Sequence, residues 1–233
     1  MRKSRLPDGI ENVFQRVKKA MAEEVVLGNK LINFAIGEPT GSLLFSAREE
    51  IARVVMIDDE IMFKYQDNGD EAVPGFAQRF VQSHIKVDLQ QIAGLGYFPI
   101  PGIKPMIGLV PLACRAKLVL TMTDPGYPTP EVWCGYLKIP SYSPPLNAEN
   151  EFLFSVEDIR PGTDLIMLNM PNNPSGQIAN REWLEELCRY CEEHDIRIIN
   201  DGAYVNLDHS GENVTLTDVA VGFPDLSFLE FFS

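Results

Sequence analysis

Two loops of the chain carry side chains suited to gripping a flat, protonatable ring. Asn172-Asn173-Pro174-Ser175-Gly176 follows the apolar run Leu165 to Leu168, and Asp201-Gly202-Ala203-Tyr204 follows Ile196 to Ile199. One helix-sized segment separates them, so the stretch reads strand, loop, helix, strand, loop. Both loops then fall at the carboxyl ends of neighbouring parallel strands, the edge where ligands bind in open α/β sheets. An Asp at one strand end, a Tyr three positions on and an Asn at the adjacent strand end converge as acceptor, donor and amide. A pyridine ring with a phenolic oxygen would use all three. A carboxylate beside the ring nitrogen favours its protonated form, and Asn and Tyr can both donate to the phenolic oxygen. A protonated pyridine is a strong electron sink. Either loop alone is also ordinary turn chemistry; the two at this spacing point to a site.

Further motifs precede these in order. Gly37-Glu38-Pro39 follows a short apolar run, Tyr65 precedes Asp67-Asn68-Gly69, and Gly102-Ile103-Lys104 opens a helix. Asp124-Pro125-Gly126-Tyr127-Pro128 follows the apolar strand Leu118 to Thr121. The start of a helix presents unpaired backbone N–H groups with partial positive charge, which suits a phosphate dianion, and Gly102 allows close approach. The same residues also read as a proline-bounded helix start, with Pro101 and Pro105 on either side.

Taken together, the ordered set resembles the class I/II aminotransferases of the fold type I pyridoxal phosphate enzymes, over almost the entire chain. The resemblance implies pyridoxal 5'-phosphate as cofactor, amino acid and 2-oxo acid substrates, and a homodimer. It implies that Asp201 pairs with the pyridine nitrogen, that Asn173 and Tyr204 contact the phenolic oxygen, and that Tyr127 stacks on the ring. Gly102 and the backbone of Ile103 and Lys104 would hold the phosphate, Tyr65 would reach the phosphate of a partner subunit, and Gly37 would lie at the substrate. A stretch around Tyr65 is similar to diaminopimelate- and aspartate-type aminotransferases.

The family attaches its cofactor through a lysine in a Ser-x-x-Lys pattern at the end of a strand. Ser233 matches that serine, so the chain is expected to stop about three positions short of the Schiff-base lysine, and no catalytic residue is assigned within it. Lys117 and Lys138 lie elsewhere in the pattern. The expectation is therefore the amino-terminal part of an aminotransferase, inactive alone. Alternatives that share the ring-binding groups are a carbon-sulfur lyase of the same fold and a noncatalytic cofactor-binding or dimerisation module.

Composition agrees with a globular enzyme. The chain has 233 residues, 45% of them hydrophobic, which is ample for one large core. A formal net charge of -13 argues against nucleic acid or an anionic membrane as partner. No apolar run is long enough to span a bilayer, and the amino terminus does not resemble a signal peptide; a cytoplasmic location is expected. Cys188 and Cys191 form Cys-x-x-Cys inside an expected helix, past the turn where a helix start lowers a thiol pKa. With no second pair and with His84, His194 and His209 scattered, these are expected to be ordinary thiols, with no metal site.

The elements that must position the site follow from periodicity. Ile10, Val13, Phe14, Val17 and Met21 recur at helical spacing, and Ser46-x-x-Glu49 reads as a capping box opening a second helix. A third helix starts near Pro74 and carries Phe76 and Phe80. Apolar strands are expected at 118–121, 165–168, 196–199 and 226–232, alternating with helices, and the 181–194 helix buries Trp183, Leu184, Leu187 and Cys191. The segment 141–150 reads as a surface connection. This pattern predicts an α/β fold of three layers, a mostly parallel sheet with helices on both faces. The resemblance assigns residues 1–45 to a small domain and 46–233 to a partial large domain that binds the cofactor.

Overall fold

The computed structural model describes residues 13–34, 37, 41–57, 60, 64–65, 75–92 and 94–233. Ile10, Glu38, Pro39, Asp67, Asn68, Gly69 and Pro74 lie outside them. The chain divides into two compact units, residues 1–64 and 65–233. Among the described residues no helix is long and apolar enough to cross a membrane.

The first unit contains helices α1 (Val13–Val26) and α2 (Phe45–Val55). On α1, Val17 and Met21 are half-buried one turn apart, as their spacing predicts. Helix α2 corrects the expected capping box. It is capped by Leu44 with no side-chain hydrogen bond, so Ser46 sits within the first turn rather than at the position from which a hydroxyl reaches the free amides.

The second unit is built on five parallel strands in the order β2-β1-β3-β4-β5: β1 Val119–Thr121, β2 Ser141–Tyr142, β3 Leu165–Asn169, β4 Arg197–Gly202 and β5 Phe228–Phe232. Helices α3 (Phe76–Gln82) and α4 (Ile103–Ala113) precede the sheet, while α5 (Thr129–Leu137), α6 (Arg181–Glu193) and α7 (Leu216–Ala220) connect its strands. The strand order reverses between β1 and β3, and the helices change face there. Ile107 and Val110 of α4 and Cys134 of α5 pack on Val119, Leu165, Met167, Ile199 and Phe231. On the other face, Leu184, Leu187, Cys188 and Cys191 of α6, with Leu216 and Val219 of α7, cover Leu120, Ile166, Leu168 and Ile198. All five residues of β3 are buried, the reason it reads as an unbroken apolar run.

Two sequence expectations change. Ser141–Tyr142 is an edge strand paired with Val119 and Leu120, and Tyr142 and Leu146 are buried, so this part of 141–150 is not a surface connection. Two residues bracketed by prolines are too few to display a period. Strand β4 also runs three residues beyond Ile199, so Asp201 lies within the strand and not after it.

The connections are locally well specified. Asn180 caps α6, its side chain accepting from Trp183 N at 2.8 Å. Thr215 and Asp218 form a reciprocal capping box on α7. Asp218 Oδ1 also accepts from the amides of Lys86 and Val87 at 2.6 and 2.9 Å, tying the segment after α3 to α7.

Candidate functional site

A cavity of about 240 Å³ opens at the carboxyl ends of the strands, lined by Ile103, Lys104, Tyr127, Asn169, Asn173, Asp201, Ala203, Tyr204 and Ser233. Strand parity explains the two residues at its base. Asn169 and Asp201 are register partners at the ends of β3 and β4. Side chains alternate along a strand, so both share the face of Met167 and Ile199, which is the face covered by α4.

Asp201 is buried, and its Oδ1 accepts from Ala203 N at a long 3.3 Å. Burial pushes its carboxyl up to about 6, the Ala203 amide opposing only in part. A carboxylate so placed is short of a positive partner. Helix α4 is preceded by Gly102 at its N-cap, whose φ of 141° and ψ of 151° lie in a region open essentially only to glycine. The amides of Ile103 and Lys104 have no partner within their own helix, and both residues line the cavity.

The remaining walls come from three loops. Tyr127 follows β1 in a turn that needs Gly126, because a Cβ there would stand 1.8 Å from Met122 O. Asn173 Nδ2 donates to Tyr204 Oη at 3.3 Å, joining the loops after β3 and β4. Ser233 Oγ donates to Ala203 O at 3.3 Å. The expected site residues Ile103, Lys104, Tyr127, Asn173, Asp201, Tyr204 and Ser233 are thus gathered in one cavity, with Gly102 at the helix start beside it. Tyr65 is fully exposed and does not line it; Gly37, in the first unit, is exposed. Asn169 and Ala203 were not anticipated. A polar residue closing an otherwise apolar strand was the available signal for Asn169, whose Oδ1 accepts from Asn173 N at 2.9 Å while its Nδ2 donates to Asp201 O at 3.2 Å.

The Cys-x-x-Cys pair is part of the core. Cys188 and Cys191 are completely buried on α6, and burial pushes the Cys188 thiol up to about 12 and that of Cys191 higher still.

Comparison with known proteins bears on the same residues. The model of the family described as aminotransferase class I and II matches residues 29–222. The LL-diaminopimelate aminotransferase 2 of Nostoc sp. is 25% identical over 92% of this chain and 58% of its own length. The LL-diaminopimelate aminotransferase of Methanocaldococcus jannaschii is 27% identical over 88% of this chain and 50% of its own. Among solved structures, a probable N-succinyldiaminopimelate aminotransferase from Thermus thermophilus superposes with a TM-score of 0.74 at 20% identity, covering 95% of this chain and 60% of that one. The chain therefore spans about half to three fifths of the length of these relatives.

Proposed function

The chain belongs to the class I and II aminotransferases, a pyridoxal 5'-phosphate-dependent family, and we propose that the protein it forms moves an amino group between an amino acid and a 2-oxo acid. The observation that carries the proposal is the cavity itself, which brings a buried, partner-poor Asp201 together with the start of α4.

These residues fit the cofactor. A protonated ring nitrogen would supply the countercharge that Asp201 lacks, and the two charges would stabilise each other. Asn173 and Tyr204, already joined at 3.3 Å, present an amide and a hydroxyl to a phenolic oxygen. Tyr127 would close the ring's face, and the amides of Ile103 and Lys104 beside Gly102 would receive the phosphate. When bound, pyridoxal phosphate supplies an aldehyde for the substrate amine and a ring that accepts electrons from the substrate's α-carbon. Asp201 keeps that ring protonated and orients it. Ser233, hydrogen-bonded to Ala203 O, marks the end of β5 at the cavity.

The rest of the proposal concerns the whole protein. It works in the cytoplasm as a homodimer in which the exposed Tyr65 reaches the phosphate held by the partner subunit. Residues 1–45, including Gly37 at the substrate, contribute to a small domain, and 46–233 contribute to the cofactor-binding domain. In the whole protein, proton transfer would fall to the family's Schiff-base lysine.

The test titrates the purified chain with pyridoxal 5'-phosphate and with pyridoxal. Saturable binding of the phosphate ester, weakened by Asp201→Ala and by Tyr127→Ala, is expected; equal binding of both ligands, or by all three proteins, would overturn the site. The whole protein should transaminate, and its Asp201→Ala variant should not.

A further inference from the structure

Directly behind the cavity, on the opposite face of the sheet, lies a polar cluster that touches none of the proposed ligand groups. Asn200 and Glu230 are register partners on β4 and β5. Parity places them on the face of Ile198, toward α7, while Asp201 faces α4. Asn200 is buried and fully engaged. Its Oδ1 accepts from Met170 N at 2.9 Å, and its Nδ2 donates to Met170 O at 3.0 Å and to Glu230 Oε1 at 2.7 Å. Glu230 is held in turn. Its Oε1 also accepts from Leu216 N at 3.1 Å, and its Oε2 accepts from Thr217 N and Thr217 Oγ1, each at 2.7 Å.

This cluster sits where the β3–β4 ladder stops. The last register pair is Asn169 and Asp201, and beyond it the chain leaves β3 toward Asn173. On the cavity side the site loops are joined by the long 3.3 Å contact of Asn173 with Tyr204 and by the Asn169 side chain, which accepts from Asn173 N at 2.9 Å and donates to Asp201 O at 3.2 Å; among the described residues, nothing on that side holds Met170. The two bonds from Asn200 to Met170 take over from the ladder at the next residue. They clamp the main chain three positions before Asn173 to the residue just before Asp201. Glu230 keeps the clamp in one orientation, because its oxygens accept and so direct Nδ2 of Asn200 toward β5.

We propose that Asn200 is a positioning residue for the cofactor cavity and that Glu230 acts through it, the pair fixing the spacing of Asp201 and Asn173 from the far side of the sheet. The proposal rests on the cavity being the pyridoxal phosphate site. Burial pushes the Glu230 carboxyl above the usual carboxylate range even though four hydrogen bonds lower it, so the group is held in place at a cost rather than solvated.

The experiment uses the full 233-residue chain and the variants Asn200→Ala, Glu230→Gln, Thr217→Val and the Asn200→Ala/Glu230→Gln double variant. Leu187→Ala, in the α6 core, controls for general destabilisation. Hydrogen exchange of the Met170 and Asn173 amides is followed together with pyridoxal 5'-phosphate affinity. In Glu230→Gln the side chain turns a donor toward donors, so exchange at both amides should speed up and Kd should rise roughly tenfold. Thr217→Val, which removes a single bond to Glu230, should give a smaller change in the same direction. Leu187→Ala should leave Kd within about twofold despite lower stability, and the double variant should bind no worse than Asn200→Ala alone, because the two residues act in series. Effects that multiply in the double variant, or a Kd that follows stability equally in the control, would overturn the proposal. Failure of the unaltered chain to bind would refute the ligand assignment; unchanged exchange at Met170 and Asn173 in Glu230→Gln would refute the clamp whether or not ligand binds.

Discussion

Replacing Asp201 by Asn should make the empty protein more stable and the cofactor complex weaker. The side chain is isosteric, so the change removes the charge and little else. In the folded chain burial raises the carboxyl from its ordinary 3.8 to about 6, and that gap corresponds to about 3 kcal/mol. Because the folded value lies above the unfolded one, Asp201 contributes its stabilisation fully below pH 3.8 and loses it as pH rises through about 6. At pH 8 the ionised carboxylate therefore costs the fold up to about 3 kcal/mol relative to acid, a cost that Asn does not carry. Urea unfolding of both proteins at pH 4, 6 and 8 measures the difference, and every other titrating group cancels in the comparison. Asp201→Asn should gain little at pH 4 and about 1–3 kcal/mol at pH 8, while losing pyridoxal phosphate affinity by about 10- to 100-fold with its charge-assisted bond. A stability difference that is flat across this range would refute the account of Asp201 as a desolvated carboxylate awaiting a cation.

Other perturbations probe separate parts of the structure. Gly102→Ala forces a Cβ onto a φ of 141°; it should cost about 1–3 kcal/mol in thermal unfolding and weaken pyridoxal phosphate more than pyridoxal. Leu187→Ala, in a core position only 1% exposed, should cost about 2–5 kcal/mol by urea unfolding. Iodoacetamide at pH 8 should modify the half-buried Cys114 first, with Cys134, Cys188 and Cys191 reacting only after unfolding; mass spectrometry locates the label, and rapid native labelling at Cys188 would contradict its burial.

The parts of the fold legible in the sequence are those where one force dominates. Strand β3 declares itself because both its faces are covered, leaving no polar position between Leu165 and Leu168. The loops after β3 and β4 were legible because polar side chains follow such runs abruptly. The same abruptness misled at β4, where Asn200, Asp201 and Gly202 look like the end of a strand and are its last three residues. Backbone pairing with β5 carries them on, and pairing leaves no local sequence signal. Edge strand β2 was missed because two residues show no alternation, and its burial comes from Tyr142, whose hydroxyl meets Thr163 Oγ1 at 2.8 Å from 21 positions away. For α2, the serine and glutamate had the right spacing, yet the helix starts at Phe45, two residues too early for Ser46 to cap it.

Asn200 and Asp201 occupy adjacent positions yet serve opposite faces of the sheet, and this parity makes the site sensitive to register. A slip of one residue between β4 and its neighbours would turn Asn200 toward α4 and drive the Asp201 carboxylate toward Glu230, placing two acids face to face. The observed register avoids that. It gives the acceptor Glu230 a donor in Asn200 at 2.7 Å and leaves Asp201 to the cavity. Polar residues within an apolar strand thus act in pairs, one presented to the ligand and one holding the strand that presents it. The lone glutamate in Phe228-Leu229-Glu230-Phe231-Phe232 is the trace of that arrangement in the sequence. It is also why a substitution at Glu230, on the face away from the cavity, should be felt by a ligand it cannot touch.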